Sequence, residues 1–390
     1  MRVLHIISSG GMYGAEAVIL NLSRILNETR HASLLGVFAN SASPNLQLHA
    51  AARKAGIESE PIACKGQVDW SVPSRIREMA ARTRADLVHA HGYKADVYVY
   101  LALRGSGLPL VSTCHTWYDN DRLVTLYGAL DRRILRGYAA VIAVSGEVEQ
   151  RLLRAGVKPE QVHLVRNGID LRPYEQAAPT LREDGGLQGA ADALWVGLTG
   201  RLAREKGVDI FLRAAARVLA ELPATRFVVA GEGPERDELE SLIEELNIGS
   251  SVRLLGRRDD MPGVYASLDV LVSSSRQEGL PMSLLEGMAS RRPVVATAVG
   301  EVPAVVQDGR TGLLVPAEDV EALAKAIAGL LRSSARRERM GAVARAFVEA
   351  EFSAARMTAD TLGVYRAAME RQLARARRMA GRGVFKDKAK

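Results

Sequence analysis

The stretch SRQEGLPMSLLEGM, residues 275–288, contains two glutamates, Glu278 and Glu286, with seven residues between them. Two such carboxylates can work as an acid and base pair, hold a cation, or be unrelated charges of one helix. In a continuous helix their α-carbons would lie about 12 Å apart and their side chains about 80° apart around the axis. Glycosidase carboxylate pairs need separations of roughly 5 to 9.5 Å. The spacing therefore argues against a shared catalytic pair.

The residues between the glutamates place one in a loop and the other in a helix. Pro281 is expected as the first helical residue, and Gly279 gives the chain freedom just before it. Glu278 then lies in the loop, where it can accept hydrogen bonds from ligand hydroxyls near the helix N-terminus. Glu286 lies inside the helix and can grip a vicinal diol such as a ribose. We predict that they bind different parts of one extended ligand; two surface charges on an amphipathic helix are the alternative.

A second candidate site is TGRLAREKG, residues 199–207, where Arg201 and Lys206 stand between a strand end and a helix start. Arginine grips phosphate oxygens bidentately and lysine adds a compact charge, so the pair suits a diphosphate. A solvated charge cluster is the alternative interpretation.

The loop in HIISSGGMYGAE nearly matches the dinucleotide-binding fingerprint, but Ser9 stands where its first glycine belongs. That fingerprint also requires an acidic residue about 20 residues further on, and residues 31–43 contain none. In place of a nicotinamide site we predict a tight turn in which Gly10, Gly11 and Gly14 let the backbone approach a phosphate. A turn with a structural role alone remains the alternative.

Histidines also follow predicted strands. His115 in VSTCHTWYDN lies at the carboxyl end of a strand, where catalytic side chains collect in α/β folds. His89 and His91 alternate at another strand end, but no third ligand has suitable spacing, so we predict no metal site there. The triplet Asp119, Asn120 and Asp121 could hold a cation beside a diphosphate; a loop of solvated acids is the better interpretation.

The elements that must position these residues follow a simple alternation. Short apolar runs alternate with helix-length amphipathic segments, which predicts parallel sheets covered by helices and an α/β fold. Both halves open with a strand, a glycine-bearing loop and a helix, so each offers free amides at the carboxyl edge of a sheet. The predicted strands are RVLHIIS, ASLLGVF, DLVHA, PLVSTC, AAVIAVS and VHLVRN in the first half, and LWVGLTG, RFVVAG, VRLLG, DVLVSS, PVVAT and GLLV in the second.

Composition limits the class of protein. At 390 residues, 47% hydrophobic and 25% charged, the chain predicts two folded domains on a prior of roughly 150 residues each. No apolar run reaches the roughly 18 residues that a membrane span needs, and we expect no export signal. Two cysteines are too few for a disulfide framework or a cysteine zinc site. We therefore expect a cytoplasmic protein.

The net charge of +7 is concentrated at the C-terminus, because residues 366–390 contain nine basic and two acidic residues. A solvated end, an anionic membrane surface at the inner face and a nucleic acid are the three candidate environments of such a segment. Since the rest of the chain is neutral, we expect no nucleic-acid partner.

Several of these segments together resemble the retaining nucleotide-sugar glycosyltransferases of family four, the group 1 transferases with the GT-B fold. The resemblance spans roughly residues 2–365. It is carried by HIISSGG...GAE, DLVHAHG, CHTW, VIAVSGEVEQRLL, NGID, GRLAREKG, VVAGEGPERDELE, RLLGRRDDMPGVYASLDVLVSSS, EGLPMSLLEGMASRRPVVAT and VQDGRTGLLV. Two segments depart from the family pattern: GGMYGAE spaces its first glycines further from Glu16, and GEVPA stands at 300–304 where many members have GGIPE.

The resemblance implies two Rossmann-like domains that face each other across a cleft, with a C-terminal helix packing back on the first. The implied boundaries are an acceptor-side domain at 1–172, a linker at 173–192, a nucleotide-sugar-binding domain at 193–352, the returning helix at 353–380 and a basic tail at 381–390.

The resemblance also implies the roles of residues. Catalytic roles fall on His115, Arg201, Lys206 and Glu278. The implied donor-binding residues are Gly10, Gly11, Gly14, Gly200, Arg201, Lys206, Gly231, Arg257, Glu278, Gly279, Leu280, Pro281, Met282 and Glu286. The implied acceptor-side residues are Glu16, His91 and Asn167.

The resemblance implies transfer from a nucleoside-diphosphate sugar to a sugar or lipid-linked acceptor, with retained configuration and without a cofactor or an essential metal. The expected setting is the synthesis of surface polysaccharide or glycolipid. A sugar-nucleotide epimerase, a phosphorylase and a non-catalytic nucleotide-sugar sensor are the rival functions; the absence of a clear lysine site for pyridoxal phosphate argues against the phosphorylase.

Overall fold

The computed structural model describes residues 1–9, 11, 14–41, 44–66, 68–115, 133–181 and 193–386. The chain divides into two compact units, Ile169–Ser353 forming one and Met1–Gly168 together with Ala354–Lys390 forming the other. The triplet at 119–121 and residues 182–192 of the expected linker lie outside the described residues.

The first unit is built on a seven-stranded parallel sheet with the order β3-β2-β1-β4-β5-β6-β7. Its inner strands are apolar runs because helices bury both faces of a parallel sheet. The strands are β1 (Arg2–Ile7), β2 (Ala32–Asn40), β3 (Glu58–Cys64), β4 (Leu87–His91), β5 (Leu110–Cys114), β6 (Ala140–Ala143) and β7 (Val162–Leu164). The described helices between them are α1 (Gly14–Glu28), α2 (Gln47–Lys54), α3 (Val72–Arg82), α4 (Tyr93–Leu103) and α5 (Gly146–Arg154), with a 3₁₀ turn at Pro159–Gln161.

The second unit is built on a six-stranded parallel sheet with the order β10-β9-β8-β11-β12-β13. The strands are β8 (Trp195–Thr199), β9 (Arg226–Ala230), β10 (Val252–Gly256), β11 (Val270–Ser273), β12 (Val294–Thr297) and β13 (Gly312–Val315). The helices are α6 (Arg172–Glu175), α7 (Val208–Glu221), α8 (Arg236–Glu245), α9 (Met261–Ser267), α10 (Met282–Ala289), α11 (Val302–Val305), α12 (Val320–Leu331) and α13 (Ser334–Glu351), with a 3₁₀ turn at Arg204–Lys206.

The last helix, α14 (Ala354–Lys386), belongs to the first unit, where it packs on α1 and on strands β5 and β6. Its Tyr365 is fully buried, and the Met357 sulfur accepts a hydrogen bond from the Gly168 amide at 3.2 Å. The predicted packing of the C-terminal helix on the first domain is confirmed, as is the α/β class with two parallel sheets.

One strand was not predicted. The strand β3, ESEPIAC, alternates buried and exposed residues and contains a proline, because it lies at the edge of its sheet. The prediction searched for continuous apolar runs, and this edge strand does not contain one.

Residues 173–181, expected as linker, pack on the second unit. The amides of Thr180 and Leu181 donate to the Ser267 hydroxyl at 2.9 and 3.1 Å, and Leu181 is buried. The two units divide near residue 168, four residues before the expected boundary.

In the part of the chain that the structure describes, no helix combines the length and the apolar character needed to cross a membrane.

Candidate active site

The second sheet changes the direction of its chain order between β8 and β11. In open α/β sheets, ligands bind outside the carboxyl ends of the strands at such a switch point. The loop after β8 carries Arg201 and Lys206, and the loop after β11 carries Glu278. The sheet order therefore brings together two sequence segments that are about 70 residues apart.

Lys206 and Glu278 are bonded to each other across this switch point. The lysine Nζ donates to Glu278 Oε1 at 2.5 Å, and the Ser275 hydroxyl donates to the same oxygen at 2.9 Å. The Glu278 side chain is 8% exposed and that of Lys206 is 26% exposed. Two residues predicted at the donor thus neutralise each other, and the lysine remains partly accessible to a ligand anion.

Arg276 ties the same two loops together. Its guanidinium forms two hydrogen bonds of 2.8 Å with the Asp209 carboxylate at the start of α7, and it pairs with Glu318. Its backbone amide donates to the Glu205 carbonyl at 2.8 Å. The paired carboxylates hold the pKa of Arg276 well above its ordinary value, because they stabilise the charged form. This clamp fixes the positions of Lys206 and Glu278 relative to each other.

Two glycines allow the loops to approach this closely. Gly207 follows Lys206 with φ of +61°, and a Cβ there would overlap the Ser274 carbonyl oxygen. Gly300, in the loop after β12, has φ of +50°, and its Cβ would overlap the Glu278 carbonyl oxygen. The left-handed backbone favours glycine at both positions, and the contacts exclude larger residues. Gly300 belongs to GEVPA, the segment that departs from the family pattern.

Glu286 lies on α10 inside a network of hydroxyl groups. Tyr265 donates to Glu286 Oε2 at 2.8 Å, which leaves the Thr199 hydroxyl to donate to Tyr265 Oη at 3.0 Å. Tyr174 also hydrogen-bonds Glu286. Burial raises the pKa of Glu286, and the two tyrosine hydroxyls oppose that rise because they stabilise the carboxylate. The carboxylate is therefore held in one orientation, as a bidentate grip on a diol requires.

The start of α10 differs from the prediction by one residue. Pro281 is the N-cap, with an extended backbone at φ −78° and ψ 92°, and the first helical residue is Met282. Pro281 has no backbone N–H, so no backbone donor is left without a partner at the cap position. Glu278 and Gly279 lie in the loop and Glu286 in the helix, as predicted, with Leu280 half-buried against the neighbouring core.

The remaining predicted donor residues differ in how firmly they are held. Gly200 and Gly231 lie at the ends of β8 and β9, where the Gly200 amide donates to the Ala230 carbonyl at 3.0 Å. Arg201 is 66% exposed, with Glu205 at 3.2 Å. Arg257 is 74% exposed, with Asp259 at 3.5 Å. The two arginines are therefore solvated side chains that a ligand could recruit.

The first sheet has its own switch point, between β1 and β4. In the loop after β1, the Ser9 hydroxyl donates to Glu16 Oε1 at 3.0 Å, which ties the loop to the first turn of α1. Gly11 lies in this loop and Gly14 begins the helix, while Gly10 lies outside the described residues. Asn167 is half-buried after β7, which is the fourth strand from β1 in the sheet.

Histidines lie at the carboxyl ends of β4 and β5, next to this switch point. His91 ends β4 and His115 follows β5, and His91 Nδ1 lies 3.4 Å from His115 Nε2. His91 Nε2 lies 3.0 Å from the Nδ1 of His5, on β1. Burial lowers the pKa of His5 to about 3 and that of His115 to about 4 because the interior disfavours imidazolium. All of these rings are therefore neutral near pH 7.

The sequence offered no third ligand of suitable spacing for His89 and His91, but the fold supplies one, because β1 places His5 directly beside His89 in the parallel register. One ring nitrogen from each of the three lies within 4.8 Å of the others. Both nitrogens of His89 are already bonded, to Tyr365 Oη and to Thr113 Oγ1, each at 2.7 Å. A metal would have to displace one of these bonds, so the structure favours a hydrogen-bonded cluster.

Sequence reasoning missed the residues that support the predicted ones. Tyr174, Tyr265 and Arg276 orient Glu286 and the donor loops, and each looks like an ordinary helix or loop residue in the sequence. His5 had a usable signal, because the switch-point order places β1 beside β4.

Comparison with known proteins places both halves of the chain in one family. Residues 12–172 match the family model described as Glycosyltransferase Family 4, and residues 193–333 match the one described as Glycosyl transferases group 1. An alpha-D-kanosaminyltransferase of Streptomyces kanamyceticus is 32% identical over 77% of this chain and 82% of its own length. An alpha-maltose-1-phosphate synthase of Mycolicibacterium smegmatis is 32% identical over 72% of this chain and 79% of its own length.

Solved structures share the fold. Anabaena Alr3699/HepE in complex with UDP has a TM-score of 0.80 at 23% identity and covers 94% of this chain and 100% of its own. A glycosyltransferase of Rickettsia africae has a TM-score of 0.79 at 18% identity, and it covers 94% of this chain and 98% of its own. The chain is therefore a glycosyltransferase of family four, built from the two parallel-sheet α/β domains of the GT-B fold.

Proposed function

We propose that this enzyme transfers a sugar from a nucleoside-diphosphate sugar to an acceptor hydroxyl with retained configuration at the anomeric carbon. The observation that carries the proposal is the Lys206–Glu278 pair, held by Arg276 at the switch point of the second sheet. It places a cation for a diphosphate beside a carboxylate for sugar hydroxyls, where parallel sheets bind phosphorylated ligands.

The donor roles follow from the chemistry of each group. Glu286 accepts hydrogen bonds from the ribose diol, and its orientation is set by Tyr174 and Tyr265. Lys206 and Arg201 stabilise the charge that gathers on the leaving diphosphate. This neutralisation by side chains is why we expect no essential metal and no cofactor.

Glu278 is proposed to orient the sugar by accepting hydrogen bonds from its hydroxyls. Its carboxylate is bonded to Lys206 and Ser275, which lowers its strength as a nucleophile. We therefore favour attack by the acceptor hydroxyl on the face that the diphosphate leaves, with the departing phosphate oxygen taking the proton. Trapping of a covalent glycosyl-enzyme on Glu278 would refute this step.

The proposed setting is the synthesis of surface polysaccharide or glycolipid, with a sugar or lipid-linked acceptor. Along α14, Arg371 bonds the Ala139 and Glu160 carbonyls of the first unit, so this arginine is not free for lipid. Contact with an anionic membrane would fall to the basic residues from Arg375 onward, of which Arg375 and Arg377 are exposed. Co-sedimentation with phosphatidylserine vesicles should be lost when residues 375–390 are removed, and unchanged binding would exclude this contact.

The proposed function is tested with a panel of nucleotide sugars. Each is screened by thermal stabilisation, since a donor that binds the folded state raises its stability by mass action. UDP-glucose is the first to test, because Anabaena Alr3699/HepE is known in complex with it. With the best donor and an acceptor, transfer yields a nucleoside diphosphate and a glycoside whose anomeric configuration NMR reads directly. An isomerised donor would identify an epimerase, and binding without turnover a sensor.

A further inference from the structure

Three histidines of the first unit form a hydrogen-bonded row that ends at the carboxyl edge of the sheet. His5 Nδ1 lies 3.0 Å from His91 Nε2, and His91 Nδ1 lies 3.4 Å from His115 Nε2. The ring planes are nearly parallel along the row, with interplanar angles of 23° and 24°. His5 and His91 are buried, and the row connects the middle of β1 with the loop after β5.

Hydrogen bonding along the row couples the tautomers of all three rings. A neutral imidazole has one N–H donor and one acceptor nitrogen, and burial keeps the three rings neutral by lowering each pKa. If His5 donates to His91, then His91 must donate to His115, and the proton of His115 is on Nδ1. If the row runs the other way, the proton of His5 is on Nε2.

The surroundings of the two ends decide between these directions. Among the described residues, neither His5 Nε2 nor His115 Nδ1 has a hydrogen-bond partner. His5 Nε2 lies in the interior of the unit. In protein interiors, a donor N–H without an acceptor is rarer than an acceptor atom without a donor. His115 Nδ1 lies at the edge where α/β folds bind their ligands. The direction that ends in an N–H at His115 therefore costs less, because a ligand can satisfy that donor.

We infer that His5 and His91 are positioning residues that hold His115 as its Nδ1–H tautomer, so that His115 donates a hydrogen bond to an oxygen of the sugar substrate. The part of this inference that concerns the substrate rests on the proposed function; the tautomer does not. His115 contacts the substrate in this account, whereas His5 and His91 act through it.

The tautomer can be measured in the unmodified enzyme. Long-range ¹H–¹⁵N correlation spectra of ¹⁵N-histidine-labelled protein near pH 7 distinguish a protonated from an unprotonated ring nitrogen. We expect His115 Nδ1 to be protonated and His115 Nε2 to be unprotonated. The opposite assignment overturns the inference, whatever the enzyme proves to catalyse.

Variants test whether the row carries the effect. His5→Leu does not touch His115 but removes the far end of the row, and His91→Leu removes its middle; both should populate the Nε2–H tautomer of His115. Thr113→Val is the matched control, because it disturbs the same cluster through His89 and leaves the row intact. An unchanged His115 spectrum in His5→Leu, or an equal change in Thr113→Val, would contradict the coupling.

Kinetics then connect the tautomer to turnover. Once a donor and acceptor are known, kcat should fall about fivefold in His5→Leu and His91→Leu and stay within about twofold in Thr113→Val, since one hydrogen bond to substrate is lost. A changed tautomer with unchanged kcat would refute the substrate contact alone. If no sugar is transferred by the unmodified enzyme, the proposed function fails and the spectra still decide the tautomer.

Discussion

Replacing Lys206 with methionine should destabilise the enzyme before any ligand is added. Methionine keeps most of the apolar stem but leaves the Glu278 carboxylate with Ser275 as its remaining side-chain donor. Breaking a fully buried ion pair costs about 3–5 kcal/mol, whereas an exposed pair contributes about 0–1 kcal/mol. Lys206 is 26% exposed and Glu278 is 8% exposed, so we expect a loss of about 2 kcal/mol in the free energy of unfolding.

Arg201→Met is the matched control. Arg201 is also predicted to bind the diphosphate, but its ion pair with Glu205 is exposed, with 66% of the Arg201 side chain and 42% of the Glu205 side chain accessible. Loss of this pair should cost less than about 0.5 kcal/mol in the free energy of unfolding. In calorimetry, the unit that contains Lys206 should melt about 4–8 °C lower in the Lys206 variant, because each kcal/mol of lost stability lowers the melting temperature by about 2–4 °C. Both variants should bind a nucleoside diphosphate more weakly.

A double-mutant cycle separates the pair from other effects of the substitution. Lys206→Met combined with Glu278→Gln should be less destabilised than the sum of the single variants, because the glutamine leaves no unpaired buried charge. Strictly additive losses, or equal melting temperatures for the Lys206 and Arg201 variants, would refute the argument that this pair holds the unliganded site together.

Three further outcomes are expected. Tyr265→Phe should weaken nucleoside-diphosphate binding about tenfold by calorimetric titration, because Glu286 loses a 2.8 Å hydrogen bond that orients it; unchanged affinity would show that this bond does not matter to the ligand. Gly300→Ala should destabilise the fold by more than 1 kcal/mol in denaturant unfolding, since its Cβ meets a carbonyl oxygen at φ of +50°, whereas Gly329→Ala, in open space on α12, should be neutral or stabilising. Acid should destabilise the first unit: the folded-state pKa of His5 is lowered to about 3 from 6.5, so the unfolded chain binds protons first and stability falls between about pH 6.5 and 3, by up to about 1.4 kcal/mol per pH unit for each such histidine. A melting temperature that stays constant over that range would contradict the neutral histidine cluster.

The elements that could be predicted from the sequence are those whose pattern lies within a few consecutive residues. All six strands of the second sheet were predicted from short apolar runs, and the inner four show such runs because they are buried on both faces. The division of Glu278 and Glu286 between a loop and a helix followed from Gly279 and Pro281. The edge strand β3 was missed since its alternating pattern reflects one exposed face.

The contacts that define the candidate site are not local. The Lys206–Glu278 bond exists because β11 is the neighbour of β8 in the sheet, although two other strands separate them along the chain. Tyr265 and His5 carry no sequence pattern of their own, and each is brought beside the candidate residues of its own unit by strand order and helix packing. A switch-point order assumed for each half would have placed β1 beside β4 and predicted the His5 contact.

The central claim is that Glu286 holds the nucleotide and Glu278 the sugar of one donor, and calorimetric titration of a free nucleoside diphosphate into two variants tests it most directly. Glu286→Ala should weaken that binding about tenfold or more, because a charged grip on the ribose diol is lost. Glu278→Ala should bind the nucleoside diphosphate within about threefold of the unmodified enzyme, since Lys206 stays available, and should still lose sugar transfer. Equal loss of nucleotide binding in both variants, or normal transfer by Glu278→Ala, would contradict the assignment of the two glutamates.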